Sequence, residues 1–425
     1  MFIFWLMERL SNPVIKHWHL KSKNQDMESL PMPHDVVSFE RLAADAASRY
    51  ADNGWPGSKD EAWRFTNINA IRKTEFSPAD TAITGTSSEI NFIHFINGVH
   101  QPIDNMSFND GIICQKLTDN AGLSSALAAA IPHGHHVADF ALAHASDGLA
   151  ITIDQVVDNP LQMIFDYSGD GISSHPVVVI KLLPGADLTI LEEHKGDGAG
   201  LSAPVMLFCV EEGAKLHHAR RLIESDQRYH LGLNLVQQKS KSVYSGDMVM
   251  AGGDITRSET QVSLMEADAQ SYLNAVYLGR DAQMRDVTSR IDHDAPDCQS
   301  FQRIHGVLDN QSKAVFQGKV KVERYAQKTD GNQMSRTLIL SREAEANTKP
   351  ELEIYADDVT CSHGATIGEL DSDQLFYLMS RGIGCDEARQ MLIEAFLMDV
   401  VDALDDPKRE WLIEPIEHWI KTRVS

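Results

Sequence analysis

The segment Gly185-Ala186-Asp187-Leu188 ends a turn and begins a short apolar run. The same arrangement recurs at Gly213-Ala214-Lys215-Leu216, Ser240-Lys241-Ser242-Val243 and Asp268-Ala269-Gln270-Ser271. Counted from the second residue of each segment, at positions 186, 214, 241 and 269, the steps are 28, 27 and 28 residues. A strand-only repeat of this length is typical of a β-solenoid, in which stacked coils bury one another's apolar faces.

Short β-rich runs surround this repeat between residues 177 and 355. Each run is alternating or β-branched, and Gly, Asp, Asn or Ser separates it from the next, which is the pattern of strands joined by turns. The runs lie at 177–183, 187–192, 205–210, 229–237, 242–250, 260–264, 314–322, 337–340 and 351–355. A β-sandwich or a barrel would also contain many short strands. The regular step favours the solenoid.

Helical patterns flank the β-rich region on both sides. Apolar spacings of three and four predict helices over about 35–51, 123–131 and 137–145, and again over 372–381, 386–404 and beyond Pro407. Because a solenoid ends in unpaired strand edges, we expect helices to cover both ends. The predicted segments are an extension at 1–30 that is a candidate for disorder, a mixed helical domain at 31–175, a β-helix core at 176–366 and a helical domain at 367–425.

Charge and cysteine usage limit the class of protein. The 38 Lys and Arg against 61 Asp and Glu give a formal net charge of −23, which repels phosphate backbones and anionic membranes, so we expect neither nucleic acid nor a membrane as a partner. The five widely spaced cysteines include no Cys-x-x-Cys pair and indicate a reducing compartment, here the cytoplasm. The short apolar start lacks the basic region of a signal peptide.

Common catalytic signatures are missing from the chain, which has no Walker A loop, His-Glu-x-x-His or Gly-x-Ser-x-Gly motif. Three histidine groups could bind a metal, but a structural role is favoured for each. They are the cluster of His133, His135, His136 and His144 around a turn, the pair His217-His218, which faces both sides of a strand, and the set of His293, Cys298 and His305 near a coil corner.

The segment Cys361-Ser362-His363 lies between the last predicted strand and a capped helix. In an extended chain Cys361 and His363 point to the same face. Thiolate and imidazole are ligands that iron and zinc accept, and two protein ligands leave positions for sulfide or a partner's side chain. On residue chemistry alone, a packed thiol and a hydrogen-bonded imidazole remain the alternative.

The stretch 316–395 closely resembles the SufB/SufD family of iron–sulfur cluster assembly proteins. The matching motifs are Phe316-Gln317-Gly318-Lys319-Val320, Ala326-Gln327-Lys328-Thr329-Asp330, 338–341, Pro350-Glu351-Leu352-Glu353-Ile354, Asp357-Asp358-Val359, Cys361-Ser362-His363-Gly364-Ala365-Thr366, Leu375-Phe376-Tyr377-Leu378 and Ser380-Arg381-Gly382-Ile383. Near the other end, Glu61-Ala62-Trp63-Arg64-Phe65-Thr66 resembles a further family motif. The wording around Cys361 is closer to the SufD branch than to the SufB branch, whose chains are typically longer and richer in cysteine.

The resemblance implies a right-handed parallel β-helix flanked by helical domains, within a complex of SufB, SufD and two copies of the ATPase SufC. It implies that SufC docks on residues 367–425, that SufB pairs through the β-helix ends, and that a transient iron–sulfur cluster or iron is shared at that interface. The family's interface histidine matches His363, and Cys361 beside it is the second candidate ligand. A flavin on the complex has no support in this sequence.

The leading hypothesis is therefore a non-catalytic scaffold subunit of this assembly machine. One alternative keeps the complex but makes the chain a purely structural partner of SufB, without cluster ligation. Another is a β-helix carbohydrate-active enzyme that uses flank carboxylates such as Asp357-Asp358 or Asp292 and Asp294. Secretion and an aromatic groove are expected of such an enzyme, and the aromatic content here is only 7%.

Overall fold

A computed structural model of the chain describes residues 36–57, 59–79, 91–101, 111–146 and 148–423. The described residues from 37 onward form one compact unit. The predicted extension at 1–30 lies outside the described residues. None of the described helices is long and apolar enough to cross a membrane.

Seven α-helices lie at the two ends of the described chain. They are α1 (Phe39–Asn53), α2 (Asn69–Lys73), α3 (Ala121–Ala130), α4 (His136–His144), α5 (Ser372–Ser380), α6 (Cys385–Val401) and α7 (Lys408–Arg423). Short 3₁₀ turns occupy Glu61–Trp63 and Leu117–Asp119. The predicted cap of α5 is confirmed, since the Asp371 carboxylate accepts the backbone N–H groups of Asp373 and Gln374. Helix α6 begins after Gly384 without a side-chain cap.

Twenty-two strands make up most of the rest. The first seven are β1 (Ser77–Pro78), β2 (Phe92–Ile96), β3 (Val99–His100), β4 (Ile112–Lys116), β5 (Leu149–Ile153), β6 (Leu161–Tyr167) and β7 (Ile172–Ser174). The others are β8 (Val177–Leu182), β9 (Asp187–Gly196), β10 (Gly200–Ser202), β11 (Val205–Val210), β12 (Lys215–Leu222), β13 (Tyr229–Gln238), β14 (Val243–Met250), β15 (Ile255–Leu264), β16 (Gln270–Gly279), β17 (Met284–His293), β18 (Gln299–Leu308), β19 (Lys313–Val322), β20 (Thr329–Ile339), β21 (Glu345–Ile354) and β22 (Val359–Gly368).

From β11 onward, successive strands alternate between two sheets and pair in parallel, so the chain winds as a β-solenoid of about eight turns. The pairs β2–β3 and β4–β5 are antiparallel. Sheet I has the order β21-β19-β17-β15-β13-β11-β8-β5-β4, and sheet II has the order β22-β20-β18-β16-β14-β12-β9-β6-β2-β3. The fold is mainly β with helices at both chain ends, as predicted. Both sheets already include strands before residue 176, namely β5 and β6. The division into separate domains stays a prediction.

The predicted repeat corresponds to the register of sheet II. Asp187 pairs with Lys215, Lys215 with Val243, and Val243 with Gln270, so the true steps are 28, 28 and 27 residues. Two residues before each of these positions, one residue adopts a left-handed backbone. That residue is Gly185, Gly213, Lys241 or Asp268, with φ of 76°, 65°, 57° and 64°. The turn therefore requires a positive φ, which glycine adopts without steric cost and Asp or Lys adopts at some cost.

Three apolar layers hold the fold together. Side chains between the two sheets form the central core, with Phe165, Leu188 and Phe208 fully buried. The N-terminal helices pack on the outer face of sheet I, where Leu42 and Phe140 share a cluster with Val179. The C-terminal helices pack on the outer face of sheet II in the same way.

The predicted helical cap over the C-terminal end of the solenoid is wrong. Helices α6 and α7 cover the face of sheet II, where Ile393, Leu397 and Leu412 are buried against Val276 and Val307. The strands of sheet II present apolar side chains on both faces. The helices therefore bury more apolar area, and stabilise the fold more, by covering the face than by covering the end. The last strand, β22, is left exposed along most of its length.

Candidate functional site

Strand β22 carries Cys361 and His363 at the C-terminal end of the solenoid. Its partner in sheet II is β20, in a parallel register that sets Cys361 opposite Gly331 and His363 opposite Gln333. β22 ends the strand order of sheet II, and no described strand pairs with its other edge. That edge is a row of backbone N–H and C=O groups available for pairing with another chain.

Cys361 turns toward the solenoid interior. It packs against the central core, and a Cβ on Gly331 would lie only 3.4 Å from its Sγ. Burial raises the pKa of the Cys361 thiol, although a hydrogen bond from the Gly331 backbone opposes the shift. The thiol therefore stays protonated at neutral pH until a metal or an electrophile displaces the proton.

His363 is exposed on the same strand. Next to it, the Ser362 hydroxyl donates to the Asn332 side chain of the neighbouring coil. Among the described residues, neither Cys361 nor His363 belongs to a group of three metal-ligating side chains. Their role as ligands at an interface remains a prediction.

Exposed apolar side chains border this end of the solenoid. Tyr325 is 81% exposed and Tyr355 is 52% exposed, both in turns that precede the last strands of sheet II. Ile354 and Ile367 are also exposed. Single exposed apolar residues are common, but several around an unpaired strand edge are typical of an interaction surface.

The four histidines near Gly134 have separate partners. His135 contacts Glu259 at 3.2 Å and caps α4, while His136 contacts the Gly54 carbonyl at 2.9 Å. His144 contacts the Phe140 carbonyl at 2.8 Å, and His133 is exposed. The favoured structural role holds, although His135 and His136 are partly buried rather than solvated.

The members of the other two histidine groups do not meet at one site either. His218 is fully buried whereas the His217 side chain is 33% exposed, as expected of neighbours in a strand. The members of the third group point to separate partners. His293 contacts the Ser300 hydroxyl at 2.8 Å, the Cys298 thiol donates to the Glu266 carbonyl at 3.3 Å, and His305 contacts the Phe396 carbonyl at 2.9 Å.

A buried polar corner, which the sequence did not reveal, lies where the chain passes from strands of sheet II to strands of sheet I. Glu192 and His194 on β9 lie 2.7 Å apart, and the other Glu192 oxygen lies 2.8 Å from His218. Glu224, in the turn after β12, lies 2.6 Å from His230 of β13 and accepts a hydrogen bond from Ser202 at 2.7 Å. Residues from four strands and a turn thus converge there.

Burial and pairing set the protonation of this corner. Burial lowers the pKa of His218 and of His230, although Glu192 and Glu224 oppose the shift. Burial alone would raise the pKa of the two carboxyls, but the neighbouring histidines hold both below their usual value. Neutral imidazoles that donate hydrogen bonds to ionised carboxylates agree with the lowered pKa of the histidines and with the lowered pKa of the carboxyls. A Glu-x-His pair that begins at the last residue of a predicted strand was the available signal, but a buried hydrogen-bonded pair gives the same pattern.

The motif Glu61–Trp63 and the residues after it dock on the outer face of sheet I. The Arg257 guanidinium lies 4.2 Å from the Trp63 ring centroid and donates to the Ala62 carbonyl at 3.2 Å. It also pairs with Asp286, which in turn accepts from the Thr66 hydroxyl. The motif therefore attaches the N-terminal helical region to the solenoid.

Comparison with known proteins places these features in a family. Residues 165–396 match the family model described as "SUF system FeS cluster assembly, SufBD core domain". The chain is 30% identical over 413 residues to "Protein ABCI7, chloroplastic" of Arabidopsis thaliana, covering 89% of this chain and 85% of that protein. It is 28% identical over 369 residues to iron-sulfur cluster assembly protein SufD of Escherichia coli, covering 83% and 86%.

A third relative matches more strongly over a shorter region. Iron-sulfur cluster assembly protein SufD of Bacillus subtilis is 36% identical over 174 residues, covering 41% of this chain and 40% of that protein. The family model covers more than half of this chain, including most of the solenoid and the strand β22 that carries Cys361 and His363. The chain therefore belongs to the SufB/SufD family of the SUF system of iron–sulfur cluster assembly.

Proposed function

We propose that this protein is a non-catalytic scaffold subunit that pairs with SufB and binds the ATPase SufC. The observation that carries the proposal is the position of Cys361 and His363 on β22, which ends sheet II with an unpaired edge. A strand in this position can be extended by a strand of a second chain, so that the ligands of both chains face one site.

The exposed border supports pairing at this end. Tyr325, Ile354, Tyr355 and Ile367 surround the edge, and their burial by a partner would be favourable. Main-chain hydrogen bonds along the ten residues of β22 would set the register of the partner strand. SufB, as the other member of the family, is the proposed partner.

His363 is the proposed first ligand because it is exposed and its imidazole can reach a partner chain. Cys361 is the second candidate. Its raised pKa means that iron or a sulfur species must displace a proton from the thiol, so cluster binding there is coupled to proton release. Iron and sulfide are cargo in this scheme, held transiently between the two chains.

The C-terminal helices supply a second surface, which we assign to SufC. Phe376 and Tyr377 on α5 are 71% and 57% exposed, and Met379 and Met391 are also exposed. Helix α5 has no buried residue. Aromatic and methionine side chains in one patch are typical of protein interfaces.

Coexpression with SufB and SufC of the same organism tests the proposal. We expect a stable complex that acquires iron and acid-labile sulfide during anaerobic reconstitution. His363→Ala should keep the complex but weaken iron retention at least about tenfold, as loss of a metal ligand does. His133→Ala is the matched control, since it removes an exposed histidine from another part of the protein.

Two results would contradict parts of the proposal separately. Failure of the three proteins to associate would exclude the scaffold function. Association with unchanged iron retention in His363→Ala would make this chain a purely structural partner of SufB, the alternative left open by residue chemistry.

A further inference from the structure

The buried corner also brings together three side chains that can bind a metal ion. Donor atoms of His194, Glu224 and His230 all lie within 4.8 Å of one another, and all three residues are buried. Two imidazoles and one carboxylate are the ligand set of many non-haem Fe²⁺ sites and of catalytic Zn²⁺ sites. Among the described residues, the fold brings three or more potential metal ligands together in this one group.

We propose that His194, Glu224 and His230 form a binding site for a divalent first-row transition metal ion, Fe²⁺ or Zn²⁺, inside the solenoid. The site is separate from Cys361 and His363, and it does not depend on the scaffold function. Ligand atoms around a tetrahedral ion lie about 3.4 Å apart. Side-chain movements that displace the ligand atoms by about 1 Å therefore convert the present hydrogen-bonded arrangement into a coordination site.

The three ligands are held by neighbouring groups. One ring nitrogen of His194 contacts Glu192 at 2.7 Å, and the other contacts the Tyr167 hydroxyl at 2.9 Å. Ser202 donates to Glu224 at 2.7 Å. A carboxylate behind a histidine ligand and a donor behind a carboxylate ligand are the usual outer partners of a metal site.

The charges of the corner favour a cation. Glu192 and Glu224 bring two buried carboxylates together, and the Arg228 guanidinium faces Glu224 at 3.8 Å. Two carboxylates against one guanidinium leave one negative charge of these three groups that is not offset. Because an isolated buried charge is costly, a divalent cation at the three ligands would improve the balance.

The corner also borders a cleft of about 510 Å³ that helix α7 helps to line. Acidic Asp226, Glu414 and Glu417 line the cleft with basic Arg280 and Lys421. Of the three proposed ligands, Glu224 is the one that lines this cleft.

Equilibrium binding of Co²⁺ to the untagged full-length chain tests the site, because Co²⁺ reports its coordination by visible absorption. We expect one ion per chain with bands of four- or five-coordinate cobalt. His194→Ala and Glu224→Gln should weaken binding at least about tenfold. His133→Ala, which removes an exposed histidine outside the corner, should bind as the unmodified chain does.

Circular dichroism and thermal melting without metal identify a variant that fails to fold. If His194→Ala fails, Glu224→Gln decides, since the amide keeps a similar shape and an acceptor for Ser202. Calorimetric titration with Zn²⁺ and, anaerobically, with Fe²⁺ identifies the preferred ion. Cobalt binding that is equal in the unmodified chain and in Glu224→Gln, or that is weakened as much by His133→Ala as by Glu224→Gln, would overturn the proposal.

Discussion

Replacement of Arg257 by methionine should destabilise the protein more than any surface change in the Glu61–Thr66 motif, which Arg257 contacts. The guanidinium is 1% exposed and pairs with Asp286 and with Glu259, the latter at 2.9 Å. Methionine keeps most of the apolar stem but leaves two buried carboxylates without their cation. Removal of one partner of a buried ion pair costs about 3–5 kcal/mol, which is a large part of a typical total stability of about 5–15 kcal/mol.

Urea unfolding followed by tryptophan fluorescence measures this loss, and Trp63 reports it locally because its ring lies 4.2 Å from the guanidinium. Arg64→Met is the matched control, since Arg64 is exposed in the same motif and should change the free energy of unfolding by less than about 0.5 kcal/mol. Equal effects of the two variants would refute the conclusion that Arg257 attaches the N-terminal region to sheet I.

Three further outcomes follow from other residues. Burial lowers the pKa of His175 to about 3, so below about pH 6.5 the unfolded chain binds a proton that the native protein does not. The free energy of unfolding therefore falls by about 2 kcal/mol between pH 8 and pH 5. His175→Phe should remove that part of the acid-induced drop in melting temperature. Gly306→Ala places a Cβ 1.9 Å from the Tyr277 ring and should cost about 1–3 kcal/mol in urea unfolding, whereas Gly368→Ala meets no atom within 4 Å and should be neutral. Phe376→Asp should weaken SufC binding at least about tenfold in calorimetry, as the loss of an interface anchor does, while SufB binding stays unchanged.

The sequence by itself determined the solenoid and its helical flanks. Each coil repeats one turn and one strand start, so the positions that pair, such as Asp187 with Lys215 and Val243, are visible as a period along the chain. Local signals also located the helices, because apolar spacing and an acceptor such as Asp371 act within a few residues. The order of the sequence also placed Cys361 and His363 after the repeat, where the structure has the last strand of sheet II.

Only the tertiary structure decided which distant side chains meet. The C-terminal helices cover the face of sheet II rather than its end, a choice made by the total apolar area that packing removes from water. Likewise, His194, Glu224 and His230 come from two sheets and a turn and carry no shared spacing. Periodicity reports the contacts between equivalent positions of neighbouring coils, whereas contacts across a coil corner depend on where the chain turns and which side chains that turn buries.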